Sequence, residues 1–261
     1  MKILSVNAGS STLKFQMYEM PEEKVLISGN FERVGIDNSF YTIKFGGEKV
    51  KKEAVLNNHG DAVRILCKEL VDNKIVNNLE EIDAVGHRMV HGGEEYSSSV
   101  IITDELKEKI ENLIPLAPLH NPANLMGINA FKEIVPSAKN VGVFDTAFHQ
   151  TLGEEAYLYA VPYEWYEKYG VRKYGFHGTS HKFVSQRMNE ILGRDDTKII
   201  TCHIGSGGSV TAVVNGKSVD TSLGFTPNAG IMMGTRSGDI DYSMIPYVMK
   251  EAGMSLEEVD N

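Results

Sequence analysis

The feature that most constrains the fold of this chain is a strand–turn–strand pattern that occurs twice. Residues 3–10 (ILSVNAGS) align without gaps with residues 199–206 (IITCHIGS). In each copy an apolar run leads through one polar and one apolar residue to Gly-Ser, and a second strand-like segment follows. One copy opens each half of the chain, which predicts a duplicated domain with boundaries near 1–150 and 151–261.

Strand and helix patterns alternate in both halves, which predicts an α/β fold with mixed sheets. The predicted strands cover residues 3–6, 84–90, 141–144, 199–202 and 210–214, and the predicted helices cover residues 61–71, 179–192 and 239–252, with further helices beginning at Thr103 and Pro122. Ser255 caps one more helix, and the sequence stops at Asn261 soon afterwards. We therefore expect a truncated chain whose second domain is incomplete.

Composition excludes several classes of protein. The chain has 26 Lys+Arg against 35 Asp+Glu, a net charge of -9, and no basic run, so a nucleic-acid partner is not expected. No segment approaches the roughly 20 apolar residues of a membrane span, and the N-terminus becomes polar too early for a signal peptide. Cys67 and Cys202 match no zinc or disulfide pattern, so we expect two buried free thiols. These features predict a cytoplasmic protein with no membrane partner.

Two turns have the composition of anion-binding loops. The first, between the first two predicted strands, contains Asn7, Ser10, Thr12 and Lys14 around Gly9. Glycine lets backbone N–H groups approach an anion, and hydroxyl groups add donors. The second turn, residues 205–209, is Gly-Ser-Gly-Gly-Ser. Either turn on its own could be an ordinary polar hairpin, but the matched pair indicates two opposed phosphate-binding sites.

Several charged residues stand at the ends of predicted strands or between glycines. Arg88 lies near the end of a buried strand, where ligands of α/β sheets bind, and Arg236 lies between glycines that allow close approach of an anion. Asp145 directly follows a strand and is either a magnesium carboxylate or the cap of the next helix. His177 and His181 have a possible zinc spacing, but a single histidine at a helix N-terminus is the better interpretation.

These residues together predict phosphoryl transfer. No serine or cysteine has a plausible paired base, whereas phosphate turns, arginines and one metal carboxylate supply the positioning and charge stabilisation that phosphoryl transfer needs.

Six blocks of this sequence also resemble a known family, the acetate kinases. In chain order they are Asn7-x-Gly9-Ser10-Ser11-Thr12-x-Lys14, His87-Arg88-x-Val90-His91-Gly92-Gly93, Pro118-Leu119-His120-Asn121-Pro122, Phe144-Asp145-Thr146-Ala147-Phe148-His149, Gly175-Phe176-His177-Gly178-Thr179-Ser180-His181 and Met233-Gly234-Thr235-Arg236-Ser237-Gly238-Asp239. The resemblance implies two actin-like (ribonuclease H-like) domains around a nucleotide cleft, and it explains the two phosphate turns.

The resemblance implies reversible, direct in-line transfer from Mg-ATP to acetate, giving acetyl phosphate and ADP, with Mn²⁺ as an alternative metal. It also implies a homodimer at full length and little activity for a chain of this length. The implied catalytic residues are Arg88, His120, Asp145, His177 and Arg236. The implied acetate site is formed by Arg88, Val90, Leu119, Phe176 and Pro227. The implied phosphate-binding residues are Asn7, Ser10, Thr12, Lys14, His203, Gly205, Ser206 and Gly207, and the implied metal ligands are Asn7 and Asp145.

The sequence departs from the family pattern most of all in being shorter than the family's members. It also departs at Thr12, where serine is common, and at two further places. Ser206 stands where the second phosphate loop usually has asparagine, and Thr226-Pro227-Asn228-Ala229-Gly230 replaces the usual Thr-Pro-Leu-Glu-Gly at the rim of the acetate site. The open alternatives are a propionate- or butyrate-preferring kinase and a non-catalytic phosphate-binding module of the same fold.

Overall fold

A computed structural model of the chain describes residues 1–114 and 120–260. The chain divides into two compact units, unit 1 (Met1–Gln150) and unit 2 (Thr151–Asn261). Among the described residues, no helix has the length and apolar character needed to cross a bilayer.

Unit 1 is built on one mixed sheet of eight strands. The strands are β1 (Lys2–Ala8), β2 (Thr12–Glu19), β3 (Lys24–Glu32), β4 (Phe40–Phe45), β5 (Glu48–Glu53), β6 (Ile82–Met89), β7 (Val100–Ile101) and β8 (Lys139–Phe144). Their order across the sheet is β5-β4-β3-β2-β1-β6-β8-β7. Strands β1 to β5 form antiparallel hairpins, whereas β1, β6 and β8 run parallel.

The α-helices of unit 1 within its described residues are α1 (His59–Asp72), α2 (Asp104–Asn112) and α3 (Asn121–Ile134). Asn58 caps the start of α1, because its side chain accepts from the N–H of Asp61. Thr103 caps the start of α2 in the same way. Helices α1 and α3 pack against one face of the sheet. That face supplies alternate apolar residues of β1 and β2 to the core, including Leu4, Val6, Leu13, Phe15 and Met17.

Unit 2 contains a three-stranded antiparallel sheet and five helices. The strands are β9 (Lys198–Ile204), β10 (Gly208–Val214) and β11 (Lys217–Thr221), and the helices are α4 (Glu154–Tyr157), α5 (Glu164–Tyr169), α6 (Gly178–Leu192), α7 (Met244–Ala252) and α8 (Leu256–Asp260). The strand order is β11-β10-β9, and α6 packs against β9. Ser255 caps α8: its hydroxyl accepts from the N–H of Glu258, whose carboxylate accepts from the N–H of Ser255.

The repeated sequence pattern corresponds to a repeated structure. Strands β1 and β2 form an antiparallel hairpin through the first glycine turn, and β9 and β10 form one through the second. The third strand of each unit, β3 or β11, then pairs antiparallel with the second. The predicted α/β class with a duplicated hairpin is therefore confirmed.

Two predictions about unit 2 are wrong. Cys202 is exposed, because its side chain lies on the outer side of β9 beside the exposed Ile200 and Ile204. The predicted helix over residues 239–252 begins five residues later, at Met244. Asp239 is held in a loop by hydrogen bonds in both directions with Gly230, and the carboxylate of Asp241 accepts from the N–H of Ser243, so this segment forms turns.

Candidate active site

The face of the unit 1 sheet opposite α1 and α3, called the open face here, carries most of the predicted site residues of this unit. Asn7 of β1 is paired with Lys14 of β2, so the two side chains share a face. Arg88 of β6 and Asp145, directly after β8, lie on the same face by strand alternation. The carboxyl ends of the parallel strands β1, β6 and β8 therefore bring Asn7, Arg88 and Asp145 together, which is where parallel sheets bind ligands.

Arg88 and Asp145 form a forked ion pair. Nε of Arg88 donates to both carboxylate oxygens of Asp145 at 3.1 Å, and Nη2 donates to Oδ2 at 2.5 Å. Nη1 donates to Oδ1 of Asn7 at 3.4 Å. The carboxylate is 3% exposed and the arginine side chain 39% exposed. The guanidinium is thus anchored through one edge while part of it faces solvent, a geometry that suits recognition of an anion.

The electrostatic setting keeps Arg88 charged. Burial by itself would lower the pKa of the guanidinium, but the charge of Asp145 and the hydrogen bonds to it outweigh burial, so the pKa is raised. Asp145 is in turn fixed at the end of β8 by its own N–H, which donates to the carbonyl of Met89 at 2.9 Å. Both partners are therefore held by the ends of adjacent strands.

Protein donors hold the first glycine turn in place through hydrogen bonds to its carbonyl oxygens. Nε2 of the buried His59 lies 2.7 Å from the carbonyl oxygen of Gly9, and since a carbonyl only accepts, this ring nitrogen carries the proton. The buried Asn124 donates through Nδ2 to the carbonyl of Ala8 at 2.9 Å. The carbonyls of Ser11 and Thr12 accept from the N–H groups of Val34 and Gly9.

Protein donors thus engage four carbonyl oxygens of this turn, whose partial negative charge would otherwise repel an anion. The hydroxyls of this turn are at the surface, with Ser10 exposed and Thr12 half-buried, and Lys14 is exposed on the next strand. The turn consequently presents donors and a positive charge, as a phosphate site requires.

The segment after Arg88 is a close-packed turn that joins β6 to the end of β8. The N–H of Gly92 donates to Oγ1 of Thr146, and a Cβ at Gly92 would lie 2.7 Å from the ring of Phe144, so only glycine fits. Nδ1 of the fully buried His91 accepts from the N–H of Gly93, and burial lowers the pKa of His91 to about 4. The turn therefore contains a neutral imidazole that buttresses the Arg88 strand.

Unit 2 brings together a second set of predicted residues around the turn between β9 and β10. The N–H of Gly205 donates to the carbonyl of Gly207, which closes the turn. A Cβ at Gly207 would lie 3.3 Å from Nη1 of Arg236 and 3.6 Å from Cε1 of His177, so the turn, the arginine and the histidine are in contact. The ring of His177 stacks on that of His203, with centroids 4.1 Å apart.

His177 occupies a strained backbone position immediately before α6. Its φ of 57° lies in the left-handed region, which costs an ordinary L-residue about 1–2 kcal/mol. Nδ1 of His177 lies 2.8 Å from Oγ of Ser209, which fixes the orientation of the ring. A histidine in this conformation, with one ring nitrogen hydrogen-bonded, is typical of a functional position.

Arg236 is carried by a loop that is closed at its base. Residues 230 and 239 are joined by two hydrogen bonds, from the N–H of Gly230 to the Asp239 carboxylate at 2.7 Å and from the N–H of Asp239 to the Gly230 carbonyl at 2.8 Å. Nη1 of Arg236 donates to the carbonyl of Pro227, just before the loop, at 3.1 Å. Within the loop, the carbonyl of Arg236 accepts from the N–H of Met233. These contacts orient the guanidinium.

The remaining predicted residues are placed as follows. Val90 is buried directly after β6 in unit 1, and Phe176 is buried directly before His177 in unit 2. His120 occupies the position before the first residue of α3. Leu119 lies outside the described residues. Within the described part of the chain, no group of three or more His, Cys, Asp or Glu side chains could hold a metal ion.

Four residues position these groups without having been given that role from the sequence: His59 and Asn124 are absent from the predicted motifs, and Ser209 and Asp239 stand in motifs without a role of their own. His59 and Asn124 bond to the first turn across 50 and 116 residues of sequence, and Ser209 bonds to His177 across 32. The spacing of residues along the sequence cannot indicate contacts between positions so far apart. The one available signal was the buried polar character of His59 and Asn124 on otherwise apolar helix faces.

Comparison with known proteins gives a consistent set of matches. The sequence profile of the Acetokinase family matches residues 2–261. The chain is 56% identical to an acetate kinase of Bacillus cytotoxicus and 55% identical to one of a Geobacillus species, over 100% and 99% of its own length. It spans 66% of the length of both relatives.

Solved structures agree with the sequence matches. The crystal structure of Porphyromonas gingivalis acetate kinase superposes with a TM-score of 0.94 at 50% identity, covering 99% of this chain and 66% of that one. A propionate kinase from Francisella tularensis superposes with the same TM-score at 44% identity, covering 100% and 67%.

Proposed function

This chain belongs to the acetokinase family, and on that premise we propose that the protein transfers a phosphoryl group reversibly between ATP and acetate. In the forward direction a carboxylate oxygen of acetate attacks the γ-phosphorus, and the bond from that phosphorus to the bridging oxygen of the ADP leaving group breaks. The products are acetyl phosphate and ADP. The observation that carries the proposal is the Arg88–Asp145–Asn7 cluster beside a turn in which four carbonyl oxygens are engaged by protein donors.

The charged residues have separate roles in this proposal. Charge spreads over the three equatorial oxygens of the transferring group, and fixed cations and N–H donors stabilise it. Arg88, oriented by Asp145, holds the acetate carboxylate and the phosphoryl group. Arg236 and His177, which both contact the second turn at Gly207, stabilise the transferring group. His120 is assigned to the same reaction from the family resemblance alone.

The two turns hold the phosphate chain. Ser10, Thr12 and Lys14 act with the first turn, and His203, Gly205, Ser206 and Gly207 act with the second. Unit 1 serves as a first actin-like domain, and unit 2 as the N-terminal part of a second, nucleotide-binding one. From the family resemblance we propose that Val90, Leu119, Phe176 and Pro227 contact the acetate methyl group.

The residues present fit a magnesium ion bound together with the nucleotide. Mg²⁺ at such sites uses one or two carboxylates plus substrate phosphates, and the open face offers the carboxylate of Asp145 and the amide oxygen of Asn7. When bound, the ion neutralises charge on the phosphates, and Mn²⁺ accepts the same oxygen ligands. We also propose a cytoplasmic location and a homodimer for the protein at the length of its relatives.

The test is acetyl hydroxamate formation with Mg-ATP, acetate and hydroxylamine. It compares the 261-residue chain with the same residues joined to the remaining third of the Bacillus cytotoxicus relative. We expect turnover in the joined protein, little in the shorter chain, and loss of turnover in Arg88→Ala. Lys132→Ala, which removes an exposed ion pair with Asp104, is the matched control and should keep full activity.

Comparison of carboxylates separates the related alternatives. One methylene in an apolar site is worth about 1–3 kcal/mol, so acetate should exceed propionate about 5- to 160-fold in kcat/KM. A higher kcat/KM for propionate or butyrate would identify a kinase of different chain-length preference. A folded joined protein that binds phosphate but turns over none of the three acids would overturn the proposal in favour of a non-catalytic module.

A further inference from the structure

A chain of four hydrogen bonds runs inward from His177 through the interior of unit 2. Nδ1 of His177 lies 2.8 Å from Oγ of Ser209, and the same Oγ lies 2.7 Å from Nε2 of His181. Nδ1 of His181 lies 2.7 Å from Oγ1 of Thr201, which donates to the carbonyl of Thr211 at 3.4 Å. The three inner members, Ser209, His181 and Thr201, are at most 3% exposed.

With a neutral His181 ring, the direction of every proton in this chain follows from its inner end. The Thr211 carbonyl can only accept, so the Thr201 hydroxyl uses its proton there and accepts from Nδ1 of His181. Nε2 of His181, in the neutral ring, is then an acceptor and takes the proton of Ser209. The Ser209 oxygen accepts in turn from Nδ1 of His177. In the reverse direction, Thr201 would donate its single proton to Nδ1 of His181. Its hydrogen bond to the Thr211 carbonyl would then be lost, leaving three bonds instead of four.

We propose that Ser209 and His181 are positioning residues that hold His177 in the Nδ1–H tautomer, so that the ring meets a phosphoryl oxygen through Nε2. A proton gained by His177 then sits on Nε2, beside the anion, and the buried bonds stay unchanged. This role at the transferring group depends on the proposed function, whereas the tautomer itself does not. The strand pairing of β9 with β10 supplies the rigid support, because Thr201 and Thr211 are direct partners across it.

The first measurement is the tautomer of His177 in the unmodified chain. Two-bond proton–nitrogen correlation spectra of the ¹⁵N-histidine-labelled protein distinguish Nδ1–H from Nε2–H rings, and the chain has eight histidines. The signals that vanish in His177→Gln identify the ring. We expect the Nδ1–H pattern for the neutral form of His177. An Nε2–H pattern in the unmodified protein would overturn the proposal without any further variant.

The second measurement is the effect of Ser209→Ala on spectrum and turnover in the joined protein. We expect the Nδ1–H pattern to be lost and kcat to fall about 10- to 100-fold, the scale found when groups that orient functional histidines are removed, with the KM for acetate within about twofold. Ser209→Thr restores the hydroxyl on a strand that favours threonine, and should restore both readouts.

The matched control is Ser185→Ala. Ser185 is also buried, and its hydroxyl donates to the Lys182 carbonyl inside α6, so its loss should leave the His177 spectrum and kcat unchanged. A Ser209→Ala protein that keeps the Nδ1–H pattern of His177 would refute the positioning role. If Ser209→Ala loses the pattern but the joined protein turns over no carboxylate even without this substitution, the tautomer assignment is retained and the proposed function is refuted instead.

Discussion

Removing the Arg88 side chain should destabilise unit 1 far more than removing a surface ion pair. Arg88→Ala takes three hydrogen bonds from a carboxylate that is 3% exposed. Breaking a buried pair costs about 3–5 kcal/mol. Arg88 itself is 39% exposed, so water reaches part of the vacated space, and we expect a loss of about 2–3 kcal/mol in the free energy of unfolding.

The buried thiol of Cys67 provides the assay. Cys67 lies in the core of unit 1, and burial raises the pKa of its thiol to about 12, so alkylation requires unfolding of this unit. In a Cys202→Ser background, which removes the exposed thiol, Cys67 is the single cysteine. A loss of 2–3 kcal/mol corresponds to about a 30- to 160-fold faster alkylation when opening is a pre-equilibrium.

A double-mutant cycle tests the reasoning. Asp145→Asn alone should cost about 1 kcal/mol, and the double variant should cost less than the sum of the single losses by about 1–2 kcal/mol, because no buried charge is left unpaired. Lys132→Ala, the exposed control, should cost under about 1 kcal/mol. Additive losses, or an Arg88→Ala loss no larger than the control, would show that Asp145 is well solvated without its partner.

Three further outcomes are expected. Gly92→Ala should cost about 1–3 kcal/mol by overpacking, since its Cβ would lie 2.7 Å from an aromatic ring, and an unchanged urea midpoint would contradict this. Burial lowers the pKa of both His87 and His91 to about 4, below the usual 6.5, so unfolding takes up protons between these values. As the pH falls from 6.5 to 4, the free energy of unfolding should therefore fall by about 1.4 kcal/mol per pH unit for each histidine. Urea midpoints that stay constant across that range would be inconsistent with neutral rings. Asp239→Ala should speed amide exchange about tenfold in the loop that carries Arg236 while leaving α1 unchanged, and equal exchange in both proteins would show that backbone contacts alone close the loop.

The parts of the fold that sequence could predict are those set by local periodicity. Alternation of Leu13, Phe15 and Met17 reports a strand with one buried face, and all three side chains are in the core. Thr103 reports a helix start, and its hydroxyl accepts from the N–H of Leu106 as a cap should. The strand-end positions of Arg88 and Asp145 were predictable for the same reason, although their ion pair was not.

The parts that could not be predicted depend on pairings distant in sequence or on competition between local structures. His59 and Asn124 reach the first turn only because α1 and α3 pack on the sheet beneath it. Residues 239–243 were included in a predicted helix, but the Asp239 and Asp241 carboxylates accept hydrogen bonds from backbone N–H groups and favour turns instead. Cys202 was expected to be buried because a strand cysteine usually is, yet the buried face of β9 carries Thr201.

The left-handed backbone of His177 has a consequence for how this position would change under selection. Glycine adopts a φ of 57° without penalty and asparagine with little, whereas histidine retains a cost of about 1–2 kcal/mol. A library randomised at residue 177 and sorted for thermal stability alone should therefore drift towards glycine and asparagine. The same library sorted for growth that requires turnover should return to histidine. Comparing the two enrichments therefore measures the benefit of the imidazole for turnover against the stability lost by placing histidine in the left-handed conformation.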